Sequence, residues 1–370
     1  MGSEEKVMGI PQLIQFQTLV TTGSLFLAIV AVRFLSQEMG YDSLIITFLL
    51  VALALGLLVC SADFFIEGAK GLARRVGLPE VVIGLTVVSI GTSLPEIVFT
   101  TSSAAAGLGD LAISGILGSV LVQITLIMGI VVVNKGLKIR ESWLKRDGLI
   151  MLLAVLILTF FLLTGLTLER WESGILVLLY IVYITWLLLH RKVIQLEEED
   201  HKEEVAIHDS NWNNAASINM VIFGLAFAVF AADQLVIYSR LLAIELNVPQ
   251  AIIGVTATGI GTSLPELTIA LMAAKKSQGV AIGTLIGSNI TDPLLSIGLA
   301  GLVKPLAIEP EGFELIVYII IPFTILGCIA ALLMMRTSYE FKKWEGYTLI
   351  LLYLLFIITL EAYNRSWITF

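Results

Sequence analysis

The hexapeptide Gly91-Thr92-Ser93-Leu94-Pro95-Glu96 returns unchanged as Gly261-Thr262-Ser263-Leu264-Pro265-Glu266, at an offset of 170 residues. Both copies lie inside long apolar runs. Each places a carboxylic acid, two hydroxyls and a helix-breaking proline where apolar surroundings make them costly. Two copies in matching places of two chain halves point to one site built by both halves.

Composition makes those surroundings a membrane. Of 370 residues, 57% are hydrophobic and only 14% charged, and mean hydropathy is +0.94. A soluble chain of this length needs more polar surface. The apolar runs are about 20 residues long and unbroken, which selects helices over the short alternating strands of a β-barrel. An all-α polytopic membrane protein follows. Candidate spans fall at 13–35, 45–72, 80–106, 111–134, 148–167 and 172–190, then at 216–244, 250–274, 279–303, 313–335 and 344–363. The first is read as a retained extra helix (1–44), not a signal peptide, because its start is not basic and no cleavage site is evident. Ten core helices remain, in halves 45–190 and 216–370 around an acidic connection, 191–215.

Basic residues set the expected orientation. Seventeen Lys and Arg, among them Lys70, Arg74, Arg75, Lys145, Arg146, Lys275, Lys276 and Arg336, fall on one side of this layout. Five fall on the other: Arg33, Arg170, Arg240, Lys304 and Arg365. The positive-inside rule makes the first side cytoplasmic, with the N-terminus and the acidic connection inside, the C-terminus outside, and the cell membrane as the location.

The repeat extends past the hexapeptide. Ala62-Asp63 matches Ala232-Asp233, Leu78-Pro79 matches Val248-Pro249, and Val82-Ile83-Gly84 matches Ile252-Ile253-Gly254. Gly118-Ser119 matches Gly287-Ser288 at an offset of 169. The repeat motifs thus cover 84–129 and 254–300. Five spans separate corresponding helices. An odd number inverts one half relative to the other, so matching polar groups should converge near the bilayer midplane.

The chemistry of those groups is that of a hard cation. Pro95 and Pro265 have no N–H for the carbonyls of Gly91 and Gly261, which frees backbone oxygens near Thr92 and Thr262. Ser119 and Gln123, like Ser288 and Asp292, are four apart and share a helix face. Glu96, Glu266 and Asp292 would then be buried carboxylates with no mid-span basic partner, so they must be protonated or hold cations. Carboxylates, hydroxyls and carbonyls suit Ca²⁺ and Na⁺ and are poor for Zn²⁺ or Cu⁺. Ser93-x-x-Glu96 and Ser263-x-x-Glu266 also fit a helix-capping box, but capping alone gives no reason for a charge mid-membrane twice.

The paired motifs, with Gly118-Ser119 and Gly287-Ser288-Asn289, resemble the two α-repeats of the cation/calcium exchanger superfamily, most of all its prokaryotic sodium/calcium exchangers. The resemblance covers most of 45–134 and 216–303. It implies two inverted five-helix halves and one cluster of sites for which Ca²⁺ and Na⁺ compete. It implies that Glu96, Glu266 and the carbonyls of Thr92 and Thr262 hold Ca²⁺ and Na⁺. Ser93, Ser119, Ser263 and Ser288 would complete the Na⁺ positions, and Gln123 and Asp292 would line a middle one. The helices at 45–72 and 216–244 would slide to alternate access. Two departures stand out: Val120 where the second repeat has Asn289, and Gln123 where relatives carry Asn.

The expected function is Na⁺-driven Ca²⁺ export by a secondary antiporter. The chain is expected to be monomeric, not an enzyme, with no resident cofactor and with inorganic cations and lipid, not nucleic acid, as partners. The alternatives are a proton-coupled or K⁺-dependent exchanger of the same fold, and a passive cation channel. Asp63 and Asp233 are expected to be structural or to lie on an entry path. Gly107-Leu108-Gly109-Asp110 with Tyr41-Asp42 mimics an intramembrane aspartyl protease, but both aspartates fall in connections. His190, His201 and His208 read as solvated residues, the acidic run 197–204 as a solvated loop, and Cys60 and Cys328 as small hydrophobes.

Overall fold

The computed structural model describes residues 10–39, 44–75, 89–139, 141–190, 214–276, 278–337 and 339–368. The matches Leu78-Pro79 and Val82–Gly84, the Tyr41-Asp42 pair, His201, His208 and the acidic run 197–204 lie outside those residues.

The described chain is built of helices, in the order the apolar runs dictate. Helix α1 (Ile10–Met39) and α2 (Leu44–Arg75) come first. The first motif forms α3 (Ser89–Thr92) and α4 (Leu94–Ala105). Helix α5 (Gly109–Leu121) runs through a π-helical turn, Val122–Ile127, into α6 (Met128–Lys135). Strand β1 (Leu137–Lys138), α7 (Glu141–Trp143), a π turn at Leu144–Gly148 and α8 (Leu149–Gly165) follow. Strand β2 (Thr167–Leu168) and α9 (Arg170–Leu189) close the first half.

The second half begins with α10 (Asn214–Leu246) and α11 (Gln250–Ile253). A π turn at Gly254–Thr258 leads to α12 (Gly259–Thr262) and α13 (Leu264–Lys276). Helix α14 (Gln278–Thr291), a π turn at Asp292–Ser296 and α15 (Ile297–Val303) precede β3 (Leu306–Ala307). Then come α16 (Pro310–Glu314), a π turn at Leu315–Ile320, α17 (Ile321–Arg336), β4 (Glu340–Phe341) and α18 (Lys343–Asn364).

Eight helical stretches among the described residues are long and apolar enough to cross a membrane, and Val20–Phe34 is a shorter apolar helix. The sequence expectation differs at the two motifs. Spans 80–106 and 250–274 are not continuous helices in their described parts: both break, at Ser93 and Ser263. There φ and ψ are −78° and 5°, and −83° and 5°. Pro95 and Pro265, two residues on, are the cause: each ring excludes the helical bond that would carry α3 into α4, or α12 into α13.

The central layer follows from burial. The most apolar windows of Gly109–Asn134 and Gly283–Val303 are 83% and 78% buried, against 28–50% for the other six. These two helices carry Ser119 with Gln123 and Ser288 with Asp292, so the site elements form the core. Helices α2 and α10 pack along each other outside it. Helix α1 lies against them, with the Phe26 ring 4.9 Å from Phe230 and 5.6 Å from Phe227, and Arg33 Nη1 donates to Gln234 Oε1 at 3.3 Å.

Two short antiparallel ladders cross between the halves. Strand β1 pairs with β4, Leu137 opposite Phe341, and β2 pairs with β3, Leu168 opposite Leu306. Leu166 and Tyr339, which enter β2 and β4, both take left-handed backbone conformations, with φ of 53° and 50°. The helices after them share a cap: Glu172 accepts the Glu169 N–H at 2.8 Å, and Glu345 accepts the Lys342 N–H at 2.7 Å. Asp110 accepts the Glu309 N–H at 2.9 Å. It thereby joins the start of α5 to the start of α16, which gives it a structural task in place of the protease role its motif mimics.

The α2–α10 contact depends on the absence of a side chain at Gly224. A Cβ there would lie 2.7 Å from Phe65 N and 2.9 Å from Phe65 Cα, backbone atoms that cannot turn aside. Gly224→Ala is expected to destabilise by about 1–3 kcal/mol. Gly174→Ala, whose Cβ would meet nothing closer than 4.0 Å, should be nearly neutral. Thermal unfolding of both variants in detergent checks this.

Candidate functional site

Each motif closes on a core helix at a glycine: Gly287 lies against the Ser89 side chain, and at the second motif both partners are thinned to backbone. Gly118 and Gly259 meet face to face: a Cβ at Gly259 would lie 3.0 Å from the Gly118 carbonyl carbon. That approach sets Ser119 against the second motif. Ser119 Oγ lies 2.8 Å from Ser263 Oγ and donates to Glu96 Oε1 at 3.0 Å. Small residues at such crossings are the usual means by which helices close on one another in lipid.

Every residue singled out for the site is buried. Thr92, Ser93, Glu96, Ser119, Gln123, Thr262, Ser263, Glu266, Ser288 and Asp292 are each at most 2% exposed. Gln123 Nε2 donates to Ser119 Oγ at 3.0 Å and to Asp292 Oδ2 at 3.1 Å, across the two halves. Gln123 and Asp292 both sit in π-helical turns, local widenings that occur often at functional sites. Thr92 Oγ1 lies 3.4 Å from Ser288 Oγ, and both hydroxyls neighbour Glu266. Ser93 neighbours Asp292. Thr262 and Ser263 donate back to the carbonyls of Thr258 and Gly259 at 2.9 and 2.8 Å.

Acceptors outnumber donors here. Both carboxylate oxygens of Glu266, Glu96 Oε2, Gln123 Oε1, Asn289 Oδ1 and Ser93 Oγ are buried without a hydrogen-bond partner. None of the ion pairs found among the described residues reaches Glu96, Glu266 or Asp292. Leaving one such group unsatisfied costs about 1–3 kcal/mol, and more when it is charged. Glu96 and Glu266 do not act as capping-box residues: Ser93 makes no side-chain cap bond, and Ser263 spends its hydroxyl on Gly259. Among the described residues, no three His, Cys, Asp or Glu side chains form a group that could hold a metal ion by themselves. A cation here must draw on hydroxyls and carbonyls as well as acids, which is the donor set Na⁺ and Ca²⁺ accept.

A second polar chain went unnoticed in the sequence. Tyr180 OH meets Thr291 Oγ1 at 3.2 Å, Thr291 Oγ1 meets Ser89 Oγ at 3.4 Å, and Thr92 Oγ1 donates to the Ser89 carbonyl at 3.0 Å. By the offset of the repeat, Gly259 stands where Ser89 does and Val122 where Thr291 does. The mismatch between those positions was its only sequence signal.

The remaining candidates fall away from the site. Asp63 and Asp233 are exposed on α2 and α10. The His190 ring stacks on Trp186 at 4.4 Å. Cys60 and Cys328 are free thiols, half-buried and buried.

Comparison with known proteins places the chain in a family. The family profile described as sodium/calcium exchanger protein matches residues 46–189 and 216–360, which leaves α1 and the acidic connection outside it. Sodium/calcium exchanger MaX1 of Methanosarcina acetivorans is 31% identical over 348 residues, covering 85% of this chain and 98% of the relative. Inner membrane protein YrbG of Escherichia coli is 29% identical, covering 72% and 82%. A solved structure of the sodium-calcium exchanger NCX_Mj, soaked with Na⁺ and Sr²⁺, superposes with a TM-score of 0.57 at 26% identity, over 84% of this chain and 96% of that one. With a match that spans both halves of a multi-pass helical fold and leaves the two motifs at its core, this chain belongs to the sodium/calcium exchanger protein family.

Proposed function

We infer that the chain is a secondary antiporter that moves Ca²⁺ out of the cell against Na⁺ moving in, by alternating access. Its layout is two inverted five-helix halves with one added N-terminal helix, the N-terminus and central connection cytoplasmic and the C-terminus external. The observation that carries this reading is the pair of motif glutamates, both fully buried, with three carboxylate oxygens between them lacking any partner. A protein retains such groups where a mobile cation neutralises them. The crossed ladders support inversion, since β1 with β4 and β3 with β2 exchange under a two-fold that swaps the halves.

In this reading Glu96, Glu266 and the carbonyls of Thr92 and Thr262 hold Ca²⁺. The same groups, completed by Ser93, Ser119, Ser263 and Ser288, hold Na⁺, and Gln123 and Asp292 line the middle position. The breaks at Ser93 and Ser263 supply backbone oxygens where an unbroken helix has none to offer. Competition of the two ions for shared oxygens gives exchange and not co-transport. Helices α2 and α10, outside the core, slide past it to open one face and then the other.

Proteoliposomes loaded with Na⁺ and diluted into Na⁺-free buffer with ⁴⁵Ca²⁺ test the coupling. Uptake should require the outward Na⁺ gradient. Uptake driven by a pH gradient instead identifies a proton-coupled exchanger, a requirement for K⁺ identifies a K⁺-dependent one, and uptake indifferent to counter-ions identifies a channel. Glu96→Gln and Glu266→Gln should each reduce exchange at least a hundredfold, since each removes a charge that only the transported ion offsets, while Asp63→Asn should stay within a few-fold of the unaltered chain. Full exchange in Glu96→Gln defeats the assignment of the site. Acidification should inhibit: protons and cations compete for the same carboxylate oxygens, so the Ca²⁺ needed for half-maximal uptake should rise as pH falls. A flat profile down to about pH 5 contradicts that competition.

A further inference from the structure

The peptide that joins Thr92 to Ser93 is a rigid plane, so whatever holds its N–H also aims its carbonyl oxygen. The Ser93 N–H donates to the Ser89 carbonyl at 3.1 Å, and Thr92 Oγ1 donates to the same oxygen at 3.0 Å. Ser89 therefore fixes the direction of the Thr92 carbonyl at the first helix break. The Ser89 side chain is held in turn from outside α3. Ser89 Oγ lies 3.4 Å from Thr291 Oγ1, and a Cβ at Gly287, one turn before Thr291, would stand 2.9 Å from that Oγ. Tyr180 OH, on α9, lies 3.2 Å from the same Thr291 oxygen. Tyr180, Thr291 and Ser89 are all buried.

The protons along this line have one arrangement. Thr291 gives its single hydroxyl proton to the Gly287 carbonyl at 2.9 Å, and a carbonyl can only accept. Ser89 and Tyr180 must then both donate to Thr291 Oγ1, which has two lone pairs to receive them. The Thr291 hydroxyl is thereby saturated and held from three sides, and buried hydrogen bonds in series strengthen one another. Resting on the exchanger reading above, in which the Thr92 carbonyl is an ion ligand, we propose that Tyr180 is a positioning residue for ion binding. Through Thr291 and Ser89 it keeps the Thr92 carbonyl aimed at the ion, and rigidity of the ligand set is one of the things that sets Ca²⁺ affinity. Gly259 stands where Ser89 does in the repeat, so the Thr262 carbonyl has no copy of this anchor.

The test separates the half-saturating Ca²⁺ from the maximal rate of Na⁺-driven ⁴⁵Ca²⁺ uptake by the full chain in proteoliposomes. Tyr180→Phe removes the hydroxyl and keeps the ring. It should raise half-saturating Ca²⁺ about three- to tenfold, the worth of one buried hydrogen bond, with the maximal rate kept. Ser89→Ala should do the same, and the double variant should be no worse than either single one, because both changes cut one line. Tyr353→Phe, which removes a buried hydroxyl that has no partner, should leave both quantities unchanged. A shift below about threefold in Tyr180→Phe, effects that multiply in the double variant, or an equal shift in Tyr353→Phe overturns the proposal. If Tyr180→Phe does not fold, Thr291→Val and Thr291→Ser decide the matter. The first should lose affinity and the second, which keeps the hydroxyl, should recover it; equal affinities overturn the proposal. Absence of Na⁺-driven uptake by the unaltered chain overturns the exchanger reading itself. Normal uptake there with the wrong pattern in the variants overturns the Tyr180 assignment alone.

Discussion

The constraint on which the rest of this fold depends is the burial of carboxylic acids that no basic residue among the described ion pairs neutralises. Glu96, Glu266 and Asp292 are at most 1% exposed. Removing an ion of this size from water costs several kcal/mol even after the protein relaxes around it. That cost is tolerable only if the surroundings are dense with dipoles and the charge is neutralised by a proton or a cation. The features around the site supply those dipoles: helix breaks, serine and threonine hydroxyls, and glycines that let helices meet backbone to backbone.

The helix breaks and the glycines act together. A proline alone would kink a helix and leave its freed carbonyls facing lipid, which a membrane does not tolerate. Here each break faces a core helix that carries a glycine at the crossing, so the irregular backbone is enclosed by protein. The π-helical turns under Gln123 and Asp292 continue the theme. They shift the register of the core helices where those side chains must leave the helix wall to reach the opposite half.

Much of this was legible in the residues. The repeated hexapeptide named Glu96 and Glu266, and the four-residue spacing from Ser119 to Gln123 and from Ser288 to Asp292 placed each pair on one face. Hydropathy gave the long helices to within a few residues because a span is a property of composition over a window. Three things were not legible. The interruption of the motif spans was implied by Pro95 and Pro265, but whether a proline bends or breaks a helix depends on what packs against it. The crossed ladders at Leu137 and Leu168 involve two residues per strand, too few for any period. The Gln123–Asp292 bond joins positions 169 apart, and no local pattern reports a contact made by tertiary packing.

The chain from Tyr180 through Thr291 to Ser89 crosses from one half to the other and is not repeated at the equivalent positions. By the repeat offset, Val122 and Gly259 stand where Thr291 and Ser89 do, so those two hydroxyls have no copies, and Tyr353 OH in α18 is buried with no partner. A conformational exchange that swapped the roles of the halves would therefore join two states of unequal free energy, because that chain has no copy to replace it. Such an exchange would favour one of its two states over the other even at zero gradient.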